Sequence, residues 1–133
     1  EQIRLRNERY VRSNDPNQGR MFAIVAGPEK VGVGSIGYWS KEWRGQTVWE
    51  TGWSVVPESQ GLGIASRAIL AVLERARADQ TNRFIHAFPA VDNGASNAIC
   101  RKAGFTLLSV VDFEYPPGNW LRCNDWRMDL FAS

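Results

Sequence analysis

Long apolar runs are missing from this 133-residue sequence. None approaches the roughly 18–20 residues of a spanning helix, so nothing suggests a helical membrane protein. No signal-peptide pattern opens the chain either. Charge of one sign is not in excess: 16 Lys and Arg stand against 14 Asp and Glu, a formal net charge of +2. That is too weak to argue for nucleic acid, and the arginines are scattered rather than striped. Cysteine is scarce. Cys100 and Cys123 lack metal-ligand spacing and read as reduced thiols, which points to a cytoplasmic protein without a metal. Histidine is scarcer still, with His86 alone. No repeat, low-complexity tract or linker interrupts the chain, so residues 1–133 are expected to form one domain, large enough to bury a core.

What the sequence does carry in quantity is tryptophan, 6 in all, crowding the strand-like regions. Most of these rings are expected to pack the core and sheet, with one or two lining a substrate groove. Residues 1–13, rich in Arg and Glu with Ile3, Leu5, Tyr10 and Val11 as the apolar set, suggest a short surface helix. A turn-forming loop follows from Asn14 to Gly19. Met21–Ala26 reads as a buried strand closed by Gly27-Pro28-Glu29-Lys30, and Val31–Trp39 as a second strand. In that second strand Gly32, Gly34 and Gly37 mark bulges or close approach. Polar Ser40–Gly45 is expected to connect it to Gln46–Val56, which alternates with period two.

Past residue 56 the period lengthens. Leu62, Ala65, Ile69, Val72, Leu73 and Ala76 recur at helical spacing, with Glu74, Arg75, Arg77 and Asp79 on the other side. Arg83–Phe88 is a short strand, making a βαβ crossover. A helix over Ala95–Ala103 ends at Gly104, in the position of a C-cap. Phe105–Tyr115 and Leu121–Phe131 are strands joined by Pro116-Pro117-Gly118-Asn119. The expected fold class is mixed α/β, with a mostly antiparallel central sheet and helices on both faces.

The chain is organised around Val55-Val56-Pro57-Glu58-Ser59-Gln60-Gly61-Leu62-Gly63-Ile64-Ala65-Ser66. Proline ends the strand because it cannot donate to a ladder. The glycines allow a sharp turn and close approach of a ligand to the main chain, and the helix then presents free N–H groups and its positive dipole end. An anion such as pyrophosphate is the natural occupant, although a strand-to-helix connection without a ligand also fits. A Walker loop needs a Gly-Lys-Ser/Thr close and no lysine lies near. A dinucleotide fingerprint needs a third glycine, where Ser66 stands, and an acidic residue ending the next strand.

What does match is Gln60-x-x-Gly63-x-Ala65, which resembles the Arg/Gln-x-x-Gly-x-Gly/Ala loop of the GNAT acetyltransferase superfamily. Asn93-Gly94-Ala95-Ser96, followed by Lys102-Ala103-Gly104-Phe105, resembles the superfamily's Asn-x-x-Ser…Lys-x-Gly-Phe signature. Glu50-Thr51-Gly52-Trp53 resembles the Glu-x-Gly-Tyr segment of the branch holding ribosomal-protein N-terminal acetyltransferases and related small-molecule acetyltransferases. The three matches stand in the expected order between Glu50 and Phe105.

The resemblance implies an acyl-CoA N-acyltransferase fold and acetyl-CoA as co-substrate. It implies acetyl transfer to a primary amine of a small molecule or peptide N-terminus, with neither nucleic acid nor membrane as partner, and it leaves a homodimer open. The backbone of Trp53, Ser54 and Val55 would pair with the pantetheine arm; Gln60, Gly61, Gly63, Ile64 and Ala65 would line the pyrophosphate turn; Asn93 and Ser96 would contact the cofactor's far arm or phosphates. The sheet would splay beyond Gln46–Val56 to admit thioester and amine. Transfer needs a base, for which Glu50 is the candidate, with His86 on the adjacent strand as a second. Two departures stand out. The family's tyrosine acid is replaced by Cys100, leaving Tyr115, Ser96 or no dedicated acid; and the strand expected ahead of the first helices is missing, through truncation or true absence. A non-catalytic acyl-CoA-binding module is the alternative.

Overall fold

The computed structural model describes residues 3–10, 19–27, 31–114 and 116–132; the expected loop over 14–19 apart from Gly19, the closing turn over 27–30 apart from Gly27, and the residues Val11 and Tyr115 lie outside these. Alternation, not helical spacing, governs the start of the chain. Ile3 and Leu5 point to the core while Arg4 and Arg6 stay exposed, and Ile3–Tyr10 forms strand β1. The expected surface helix is therefore a strand, and the N-terminal strand expected to be missing is present at the sheet edge, antiparallel to β2 (Gly19–Ala26).

Strand β3 runs from Val31 to Trp43, four residues past its expected end. Ser40–Trp43 pairs with the start of β4 (Gln46–Val55), so only Arg44 and Gly45 make the hairpin turn, both at positive φ (50° and 81°). That two-residue geometry matches the twist of the flanking strands. Of the β3 glycines, Gly34 and Gly37 mark close approach: a Cβ would meet the Ser54 carbonyl oxygen at the first and the Met21 sulfur and Arg20 carbonyl oxygen at the second, whereas Gly32 faces open space. The register between β2 and β3 also shifts beside Gly34, between Ile24 and Val25.

Helix α1 (Ile64–Asp79) begins two residues later than Leu62, which stays exposed. It buries Ile64, Ala65, Ala68, Ile69, Val72, Leu73 and Ala76. The small Ala positions let the helix approach the sheet, and each fully buried Ile, Leu or Val contributes about 1.5–3 kcal/mol. β5 (Phe84–Ala87) pairs parallel to β4, which completes the crossover. Helix α2 (Gly94–Ala103) ends at Gly104, whose φ of 101° is the left-handed C-cap. β6 (Thr106–Glu114) and β7 (Trp120–Asp129) form the final hairpin, giving the order β1-β2-β3-β4-β5-β7-β6. Among the described residues only the β4–β5 pair is parallel.

Both described helices pack on one face. α1 and α2 touch, and Ile69, Val72 and Cys100 share one cluster with Phe22, Ile36, Trp49, Ile85 and Trp126. Helices on both faces were expected; among the described residues the second face carries none. The reason lies in the strands. Their core-facing positions converge on the helices, while Trp39, Lys41, Trp43, Glu50, His86 and Phe113 alternate to the opposite side.

Candidate active site

The sheet opens between its two parallel strands. β4 and β5 pair only at Trp49–Ile85, Glu50–His86 and Thr51–Ala87. Beyond that, Gly52 to Val55 keep their β3 partners, while the chain after Ala87 turns toward β7: Ala90 bridges Cys123, and the Pro89 carbonyl accepts from the Asn124 N–H at 2.9 Å. Pro89 cannot donate to a ladder, which helps end the pairing there. The splay thus begins midway along β4, one residue past Glu50 and His86.

On the helix side of this opening lies a cleft of about 460 Å³. All ten residues expected at the cofactor line it: Trp53, Ser54 and Val55 from the strand edge; Gln60, Gly61, Gly63, Ile64 and Ala65 from the turn; Asn93 and Ser96 from the start of α2. Gly61 and Gly63 have φ near 80° and 76°, a conformation that favours glycine, and no atom lies within 4 Å of where a Cβ would stand on either. Gly63 is the N-cap of α1 and supplies no side-chain cap, so the first turn of the helix, whose Ile64, Ala65 and Ser66 line the cleft, is left uncapped. The Gln60 amide donates to the Val55 carbonyl at 2.9 Å, which ties the turn to the strand. Asn93 caps α2 by accepting from the Ser96 N–H at 3.1 Å, so capping accounts for this pair as well as ligand contact does.

A second cavity of about 310 Å³ continues through the splay, sharing Trp53, Asn93 and Ser96 with the first and adding Glu50, Trp39 and Phe88. Glu50 lines this slot. It accepts from the Trp39 indole N–H at 3.1 Å and lies 3.7 Å from the Lys41 ammonium. His86 does not reach it. Its ring is buried, held by Asp125 (Nδ1 to Oδ1, 2.6 Å) and stacked on Phe88 at 5.5 Å. The second Asp125 carboxylate oxygen is buried without a hydrogen-bond partner.

Cys100, expected from the resemblance to stand where a tyrosine acid would be, is fully buried, and desolvation pushes its thiol up to about 12. It is a neutral core thiol with no access to either cavity. Cys123 is also free and buried. Among the described residues no group of His, Cys, Asp or Glu is arranged to hold a metal ion, and no helix is long and apolar enough to cross a membrane.

Sequence reasoning missed Asn97. Its amide donates to the Ala90 and Asn93 carbonyls at 2.9 and 2.8 Å, and its oxygen accepts from Asn124 and the Trp126 indole, both at 2.8 Å. One side chain thus fixes the loop carrying Asn93 to α2 and β7. A buried polar residue on the apolar side of a short helix was the available signal.

A family model for the acetyltransferase (GNAT) domain matches residues 1–106. The chain belongs to the GNAT acetyltransferase family. Solved structures share this family's fold. RimL, a ribosomal L7/L12 alpha-N-protein acetyltransferase, is 22% identical with a TM-score of 0.70, over 87% of this chain and 72% of its own in the apo form. The ribosomal-protein-S5-alanine acetyltransferase of Vibrio fischeri is 21% identical with a TM-score of 0.75, over 87% and 64%. A chimera of the spermidine N-acetyltransferase SpeG from Vibrio cholerae and hSSAT is 19% identical with a TM-score of 0.71, over 86% and 68%. The chain therefore spans roughly two thirds of these relatives' length. No curated protein sequence matches it.

Proposed function

We propose that this GNAT domain transfers an acetyl group directly from acetyl-CoA to a primary amine of a small molecule or a peptide N-terminus. The observation that carries the reading is the continuity of the two cavities: a glycine-lined turn at a helix N-terminus leads through the strand splay to a carboxylate. The turn suits a pyrophosphate. The edge of β4 from Gly52 to Val55 offers strand-like hydrogen bonds to the pantetheine arm, which would orient the thioester at the splay. Support also comes from the relatives, since RimL has been solved in complex with coenzyme A.

Direct transfer requires an unprotonated amine, so a base must take its proton. Glu50 is the group in reach, acting directly or through water. The amine nitrogen then attacks the acetyl carbonyl, the C–S bond breaks, and the leaving thiolate takes up, directly or through water, the proton that the new amide nitrogen releases, giving coenzyme A. His86 supports the wall of the slot through Phe88 rather than the proton transfer itself. Peptide and polyamine amines are both reasonable acceptors, given what RimL and SpeG are named for.

One observation favours a second reading, a non-catalytic acyl-CoA-binding module: the position of the family's acid holds a buried thiol. Thiol release from acetyl-CoA over a panel of primary amines separates the two. Amine-dependent release supports transfer; tight cofactor binding without release from any amine supports the module.

A further inference from the structure

Lys41 sits in an aromatic box. Its ammonium lies 5.3 Å from the Phe113 ring centre and 5.6 Å from those of Trp43 and Phe88, inside the range of cation–π attraction. The three rings also contact one another, with centroids 5.0, 5.2 and 5.7 Å apart. They come from β3, from the loop after β5 and from β6, so the fold assembles the box from distant stretches of chain. On its remaining side stands the Glu50 carboxylate, 3.7 Å away. Three aromatic faces and one carboxylate around a single ammonium make up the recognition chemistry of an alkylammonium site.

Two of the groups that meet Lys41, Glu50 and Phe88, also line the slot. We propose that the box is a subsite for a second positive charge on the acceptor, so that the acceptor is a small diamine or an amine bearing another ammonium a few carbons from the reacting nitrogen. Lys41 is the resident stand-in for that charge. This rests on the acetyl-transfer reading above. The Lys41 side chain is 27% exposed on a flexible four-carbon stem, so it can turn outward into water when an ammonium arrives. The exchange swaps one cation for another beside Glu50 and leaves no charge unpaired. An acceptor whose second group is anionic would meet Glu50 and the negative faces of three rings, and is disfavoured.

Calorimetry of cadaverine with the coenzyme A-saturated protein tests the box directly. Trp43→Leu and Phe113→Leu, checked for folding by their coenzyme A binding, are expected to weaken cadaverine binding roughly 3- to 30-fold. Lys41→Met, which removes the resident ammonium, is expected to strengthen it. Absence of cadaverine binding, or equal affinity in wild type and both box variants, overturns the inference. Turnover with cadaverine and pentylamine separates this result from the fate of the transfer reading. A several-fold higher kcat/KM for cadaverine is expected, and equal values overturn the inference while transfer stands. Acetylation of neither amine, with box-dependent cadaverine binding intact, defeats transfer and leaves the ammonium site standing.

Discussion

At the scale of single residues, environment separates groups that look equivalent in the sequence. Glu50 and His86 are paired neighbours on adjacent strands, yet only Glu50 reaches the slot, because His86 is locked to Asp125 beneath Phe88. Cys100 shows the same principle. Buried without a base beside it, it has no route to an acetyl-thioester intermediate. Cys100→Ser is expected to fold and to keep amine-dependent turnover; a variant that binds cofactor but is inactive would point to a covalent path and ping-pong kinetics. The thiol also has a signature in stability. Its ordinary value is 9.0 and burial raises it to about 12, so between these the unfolded chain releases a proton that the folded chain keeps. Its contribution is complete below pH 9 and is lost as pH rises above it. The melting temperature of the wild type should therefore fall more steeply above that pH than the temperature of Cys100→Ser. Parallel slopes would contradict a buried neutral thiol.

At the scale of elements, two helix starts shape the cleft. Gly63 opens α1 in the left-handed region, beside open space rather than packed atoms. Gly63→Val is expected to resist the turn and crowd the anion, so acetyl-CoA affinity measured by calorimetry should fall by at least tenfold in a folded variant. Unchanged affinity would remove the glycine turn from the account. Asn97 holds the other start. Asn97→Ala leaves the Trp126 indole and Asn124 amide without their acceptor, and is expected to cost about 1–3 kcal/mol in denaturant unfolding. A loss well under 1 kcal/mol would mean that water replaces the side chain easily. These elements differ in how readily the sequence discloses them. Gly61, Gly63 and Gly104 announce their turns because few other residues adopt such φ values, and the period-two run from Gln46 needs no tertiary information. β1 was harder, since Arg4 and Arg6 between Ile3 and Leu5 can be read as an arginine-rich helix. Trp43 extends β3 only because Gln46 lies opposite to pair with it.

At the scale of the whole molecule, the proposed transfer depends on what the sheet leaves unpaired. Among the described residues seven strands pair in one continuous order, and the single parallel contact is the one that fails after three residue pairs. Through that gap the helix side of the sheet meets the opposite face, where Glu50 and the aromatic box stand. That the ten expected cofactor residues would line one cleft was legible in advance because they cluster in two short motifs. The box was not, because Lys41, Phe88 and Phe113 meet only after the strands have been ordered. In the proposed mechanism acetyl-CoA held on the helix side reacts through the gap with an amine deprotonated by Glu50. The most direct measurement compares wild type with Glu50→Gln at saturating amine, reading thiol release and acetyl-CoA affinity on the same preparations. Turnover should fall by roughly 10²–10⁴-fold, as loss of a general base implies, while cofactor affinity stays within about twofold. A fall of less than about threefold with chemistry limiting, set against that 10²–10⁴-fold expectation, would contradict the account, because proton removal would then not depend on the carboxylate that lines the gap.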